Sequence, residues 1–152
     1  MRTLILGLGN PLVGDDGVGV RVVEHLRGEE LPPGVELEEA GTAGLAILDL
    51  VVGCDRLVVV DAIDASLEPG TLLELDRAAL ERLGGRHLVS PHDADLLTTL
   101  KLGHELGLAM PAEITCIAIQ VADLVTLGEG CTPKVEAAIP KAAAAALRLA
   151  LA

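Results

Sequence analysis

The chain has 152 residues, 51% of them hydrophobic, with no Phe, Tyr or Trp and a formal net charge of −12 from 23 acidic and 11 basic side chains. That length suits one domain with a sizeable core, and a core of Leu, Val, Ile and Ala alone favours layered α/β packing. The acidic surface, the singly scattered Arg and Lys residues and the lack of rings for base stacking exclude nucleic-acid binding, and Cys54, Cys116 and Cys131, odd in number and without CxxC spacing, argue against a disulfide framework or a thiolate zinc site.

The first residues, MRTLILGLGN, run straight into a glycine turn. The apolar stretch is too short for a membrane span and lacks a signal-peptide cleavage pattern, which predicts a cytoplasmic protein without membrane attachment. Residues 3–8, TLILGL, read as a buried strand. From about 15 to 27 the period changes: Val18, Val22 and Leu26 fall four apart, flanked by Gly19 and Val23, as on one face of a helix. Pro32 and Pro33 mark a loop at 31–34, residues 35–40 form a second strand, and GTAG at 41–44 feeds a short helix at about 44–52. RLVVVD, 56–61, is the clearest strand, a β-branched run suited to burial on both faces.

After an EPG turn at 68–70, TLLEL at 71–75 is a more alternating strand. Ser90-Pro91-His92-Asp93 reads as a helix start, with Ser90 as N-cap, Pro91 at the first helical position and Asp93 in a capping-box position. That helix runs to about Leu102. ITCIAIQV, 114–121, is another buried strand, and Thr132-Pro133 open a final helix that reaches the C-terminus with a bend expected near Pro140. No repeat or linker divides the chain, so residues 1–152 are read as a single domain. The order βαβαβ, a strand, then αβα predicts a three-layer α/β sandwich: a mixed, mostly parallel twisted sheet with helices on both faces. Ligands in such sheets bind beyond the carboxyl ends of the strands.

Three segments deliver polar groups to that edge: GNPLVGDDGVG after the first strand, Asp61 at the end of VVVD, and SPHD at 90–93. Asp15 and Asp16 fall where a helix begins, so one N-cap and one functional carboxylate is the natural division. Asp61 closes a very apolar strand, where a charge needs a partner, a metal, a solvent-filled cleft or a turn to cap. His92, in the first turn of a helix, is held neutral by the positive end of the dipole, and neutral imidazole is the metal-binding form. Taken singly, each residue also has a structural reading as cap, turn residue or solvated histidine. Taken together, two carboxylates and an imidazole supply three ligands and leave a position open, as in catalytic zinc sites. Zinc or nickel suits such donors better than magnesium.

LILGLGNPLVGDDGVGVRVVE, the GTAG loop, LVVVDAID and SPHD together resemble the nickel-iron hydrogenase maturation endopeptidases, over nearly the whole chain from Arg2 to the final helix. The GxGNxLxxDDGVG stretch is the most specific; the others persuade by order and spacing. The resemblance implies a phosphorylase/hydrolase-like fold and a metal-dependent endopeptidase that removes the C-terminal extension of a hydrogenase large-subunit precursor after nickel insertion. It implies Asp16, Asp61 and His92 as metal-site and catalytic residues, with Asp15 as the helix-capping neighbour. The metal it implies is nickel carried by the substrate, with zinc or cadmium as surrogate. The family often has Asp-Gly-Gly-Thr where this chain has Glu39-Ala40-Gly41-Thr42. Substrate contact is therefore assigned to Glu39, Gly41 and Thr42, with Glu39 a longer acid than usual.

Three other readings compete. LGLGNP also resembles the opening of peptidyl-tRNA hydrolases, but the TRHN-type segment is replaced by GDDGVG and the charge suits RNA poorly. Gly7-Leu8-Gly9 could open a dinucleotide turn, yet Leu12 holds the third glycine position and Asp15-Asp16 would face a pyrophosphate. A non-catalytic relative that binds a metal or a maturation partner is the third. The partner expected from the main reading is the large-subunit precursor, the expected state is a monomer, and substrate choice is expected from surface loops at 64–70 and 103–112.

Overall fold

The computed structural model describes residues 1–41, 46–83 and 91–152, with the side chains of 91–95 outside the description. Its centre is a five-stranded sheet of β1 (Thr3–Leu8), β2 (Val35–Ala40), β3 (Arg56–Ile63), β4 (Leu72–Asp76) and β5 (Glu113–Gln120). The strand order is β2-β1-β3-β5-β4, parallel throughout except for β4, which runs antiparallel to β5. The helices are α1 (Val18–Arg27), α2 (Ala46–Val51), α3 (Arg77–Leu83), α4 (Pro91–Glu105) and α5 (Pro133–Leu151), with a short 3₁₀ turn at Gly14–Gly17.

Alternation along β3 divides the interior into two layers. Val58, Val60 and Ala62 pack with Val22, Val23 and Leu26 of α1 and with the Ala-rich face of α5. Leu57, Val59 and Ile63 pack with Ile47 and Val51 of α2 and with Leu96 and Leu100 of α4. Strands buried on both faces read as continuous apolar runs, which is why β1 and β3 carry no polar alternation. Each such side chain contributes about 1.5–3 kcal/mol through burial, and small Ala side chains on α5 let it lie close to the sheet without aromatic filler.

The elements follow the expectations with two main differences. β3 continues past Asp61 to Ile63, so Asp61 sits within the strand rather than closing it. Helix α3 was not anticipated: RAALERL is short and buries only Leu80, too weak a pattern to announce itself. Helix α5 contains Pro140, the point of the expected bend, within its span. Pro140 supplies no N–H to the Glu136 carbonyl, and both residues are exposed, a setting in which a helix tolerates an internal proline better than in the core. Helix α4 begins at Pro91 as expected, while Ser90 lies outside the described residues.

Candidate functional site

The carboxyl ends of β1 and β3 form the rim where the first two candidate carboxylates lie. Beyond β1 the chain turns at Gly9, whose φ of +127° is closed to most side chains; a Cβ there would sit 1.9 Å from the Asp16 carbonyl oxygen. The turn thus folds the Gly14–Gly17 segment back over the strand end. Gly19 fixes the approach from the other side. A Cβ on it would lie 2.2 Å from the Val60 carbonyl oxygen and 2.5 Å from that of Leu8, so the start of α1 rests directly on the β1 and β3 backbones. Two glycines therefore bring Asp16, three residues before Gly19, to the end of β3 that bears Asp61.

Asp16 accepts a hydrogen bond from the Asn10 N–H at 3.0 Å through Oδ2. Its Oδ1 is buried and has no hydrogen-bond partner among the described residues. A desolvated carboxylate oxygen left unpaired is costly unless a proton or cation meets it. Asp61 is 1% exposed. Its neighbours two along the strand, Val59 and Ile63, face the α2–α4 layer, and alternation puts Asp61 on that face too. Its Oδ1 accepts the N–H of Ala62 at 2.8 Å.

His92 lies in the first turn of α4, and its side chain is outside the described residues. The direction of α4 is nevertheless defined. Just beyond its C-terminus Ala109 accepts the Gly53 N–H, and Ala112 donates to Asp55, immediately before β3. The C-terminal end of α4 is therefore at the amino edge of the sheet. A helix of 15 residues spans about 22 Å, which carries its first turn back to the carboxyl edge, on the layer that Asp61 faces. Among the described residues no three His, Cys, Asp or Glu side chains converge as a metal cluster. Asp16 and Asp61 supply hard oxygen donors of the kind that, with an imidazole, suit a borderline divalent cation.

Asp15 does something other than cap α1. Both the 3₁₀ turn and α1 lack a side-chain cap, and the fully buried Asp15 carboxylate instead accepts four hydrogen bonds from distant chain. The N–H groups of Ala122 and Asp123 donate to Oδ2 at 2.8 and 2.9 Å, the Thr132 N–H to Oδ1 at 2.7 Å and the Thr132 hydroxyl to Oδ2 at 2.8 Å. It ties the turn bearing Asp16 to both ends of the 122–132 loop. The buried amide of Gln120, at the end of β5, was also missed. Its Oε1 accepts the N–H groups of Ala65 and Leu67 at 2.8 and 3.3 Å, and its Nε2 donates to Asp64 at 3.3 Å. A polar residue ending an apolar strand is the signal that singled out Asp61, and ITCIAIQ carries it equally.

The remaining candidates lie differently. Glu39 shares the β2 face of Val35 and Leu37, which pack on the α1–α5 layer, and its carboxylate pairs with Arg27 of α1 at 3.2 Å. It is thus turned to the layer opposite Asp61. Gly41 is exposed, and Thr42 and Gly44 lie outside the described residues. Of the two loops expected to govern substrate choice, 64–70 follows β3 on the rim, whereas 103–112 lies at the amino edge; the 121–132 loop occupies the rim in its place. The Cys131 thiol in that loop is pushed up to about 11 by burial, with Asp15 and Glu136 adding to the effect.

A model of the hydrogenase maturation protease family, HycI, matches residues 20–149. The hydrogenase expression/formation protein HupD of Rhizobium leguminosarum bv. viciae is 36% identical over 149 residues, covering 97% of this chain and 73% of the relative. The hydrogenase 2 maturation protease of Escherichia coli is 36% identical over 147 residues, covering 93% and 86%. Among solved structures, the hydrogenase maturating endopeptidase HybD from E. coli superposes with a TM-score of 0.85 at 36% identity, over 98% of this chain and 93% of that one. The [NiFe] hydrogenase maturation protease HybD from Thermococcus kodakarensis does so with a TM-score of 0.81 at 30% identity, over 99% of both. By sequence and fold alike, then, the chain belongs to the hydrogenase maturation proteases, a family of endopeptidases.

Proposed function

We propose that this peptidase removes the C-terminal extension from the precursor of a nickel-iron hydrogenase large subunit after nickel has been inserted. Asp16, Asp61 and His92 recognise that nickel as part of the substrate. The observation that carries the reading is the buried Oδ1 of Asp16, which has no partner among the described residues, on the same rim as the buried Asp61 carboxylate. An oxygen held dry without a donor is suited to a cation delivered from outside, and a carboxylate pair with imidazole matches nickel by donor type. Zinc or cadmium is a workable surrogate for the same donors.

The chain's own contribution is positional. The Asn10 N–H holds Asp16 Oδ2 and the Ala62 N–H holds Asp61 Oδ1, so the carboxylates reach the substrate already oriented and little ordering remains for binding. A cation held there polarises a peptide carbonyl beside it. Glu39, Gly41 and Thr42 are the substrate contacts proposed from the family pattern, and Glu39 would have to leave Arg27 to make one. A cytoplasmic monomer goes with this reading, checked by fractionation and gel filtration.

The test is electrophoresis of purified, nickel-loaded large-subunit precursor with and without the protein. Tail removal is expected with the wild-type chain, none with Asp16→Ala or His92→Ala, and none on nickel-free precursor. Failure of the wild-type chain to cut would leave a metal- or partner-binding relative as the better account.

A further inference from the structure

Three large aliphatic side chains stand in solvent on the rim beside Asp16: Leu12, 57% exposed, Val125, 84%, and Leu127, 81%. Backbone contacts join the segments that carry them. The Gly128 N–H donates to the Leu12 carbonyl at 2.8 Å, and Val13 forms isolated bridges with Leu127 and Gly128. Nor is the loop that carries Val125 and Leu127 a loose excursion. Asp123 Oδ1 accepts the N–H groups of Val125 and Thr126 at 3.0 and 3.1 Å, and Asp15 holds residues 122, 123 and 132. A further bond from the Asp15 N–H to the Asp123 carbonyl, 2.8 Å, seats the loop on the turn from which Asp16 emerges. A chain of net charge −12 has ample polar residues for a solvent-facing loop. Three exposed aliphatic side chains on backbone-linked segments of defined shape there point to a protein interface.

We propose that Leu12, Val125 and Leu127 form a docking platform for the folded body of the hydrogenase large-subunit precursor while its tail lies against Asp16 and Asp61. The inference rests on the protease reading above. Its occupant follows from continuity: Leu12 is four residues from Asp16 in the same turn, and the loop's anchor, Asp15, is adjacent to it. A macromolecule that reaches Asp16 with its tail therefore has this surface as a neighbour. The exposed leucines at the opposite edge, Leu102, Leu106 and Leu108, lack any such link and serve as the control.

The experiment measures cleavage of nickel-loaded precursor over a range of substrate concentrations by wild type, by Val125→Glu/Leu127→Glu and by Leu106→Glu. The double variant is expected to raise KM about 10-fold or more, the equivalent of one lost interface hot spot. Its kcat at saturation should stay within about 2-fold, since Asp16, Asp61 and the N–H groups that hold them are unchanged. Leu106→Glu should match wild type. Melting temperatures establish that each variant is folded, and Val125→Ser/Leu127→Ser, milder at these exposed positions, serves if the glutamates perturb the loop. Wild-type KM in a folded double variant overturns the platform and leaves the protease reading intact; an inactive wild type overturns both.

Discussion

Asp15 is wholly buried and saturated with donors, while its neighbour Asp16 keeps one buried oxygen unmatched among the described residues. Their contributions to stability should therefore be opposite. Asp15→Asn turns an amide NH₂ toward backbone N–H groups and removes charge-assisted bonds, and it should cost about 2–4 kcal/mol in urea denaturation. Asp16→Ala removes a desolvated carboxylate and leaves only the Asn10 N–H, at an exposed residue, without its acceptor. It should fall within about 1 kcal/mol of wild type or above it, while abolishing cleavage, as expected where function and stability compete. A large loss for Asp16→Ala would mean that its buried oxygen has a structural partner. Spacing could not separate these neighbours, because a cap and a ligand look alike in DD; what distinguishes them is an acceptor role toward residues more than a hundred positions away. Cys131 gives a pH prediction. With its pKa raised from 9.0 to about 11, the folded thiol holds its proton longer than the unfolded one. Its contribution to stability is fully present below about pH 9 and lost as pH rises toward 11. Alkylation by iodoacetamide at pH 8.5 should be roughly 100-fold slower in the native protein than in urea, since the thiolate is the reactive form.

The elements are held in register by close backbone approaches that side chains would prevent. Gly19→Ala would force a methyl group against the Val60 and Leu8 carbonyls, and α1 would have to lift from the sheet, at a cost of about 2 kcal/mol or more. Gly28 ends the same helix with ordinary right-handed backbone, and only the His25 carbonyl, 3.5 Å away, would touch a Cβ there. Gly28→Ala should therefore stabilise by about 0.4–1 kcal/mol through the unfolded chain. Thermal melts of the two variants should move in opposite directions, and a loss in both would show that the C-terminal turn of α1 needs its glycine. At this scale much of the fold is legible: the apolar run of β3, the four-residue period of α1 and the Pro91 and Pro133 helix starts each announce an element locally. Helix α3 is not, because one buried leucine in seven residues leaves no period to detect. The extension of β3 past Asp61 is hidden for another reason. A charge inside a strand contradicts local propensity, and only its place on the rim between Val59 and Ile63 accounts for it.

At the scale of the whole molecule the two edges of the sheet do different work. The carboxyl edge collects loops from three crossovers, and the order of elements was enough to predict that Asp16 and Asp61 lie there, since parallel α/β sheets bind at that edge. Which loop lies beside Asp16 was not predictable, because the 121–132 loop is seated by Asp15 through contacts that leave no local trace. The amino edge is closed by Arg56. Only 7% exposed, its guanidinium donates to Glu113 at 2.8 Å and to the carbonyls of Leu149 and Ala150 at 3.2 and 3.1 Å. It thereby joins the first residues of β3 and β5 to the last turn of α5, where the Leu149 carbonyl also accepts the Ala152 N–H at 3.4 Å and the Ala150 carbonyl is past the reach of the helix's own donors. Arg56→Met keeps the aliphatic stem but takes the guanidinium from the Ala150 carbonyl and from Glu113, so the melting transition should fall by the equivalent of about 2–4 kcal/mol. Amide exchange should rise in the last turn of α5 while protection around Asp61 is kept. Because the staple lies at the edge opposite Asp16, KM and kcat for the precursor should match wild type at temperatures where the variant remains folded. If cleavage weakens there instead, the edges are coupled through the sheet and the division of labour between them does not hold.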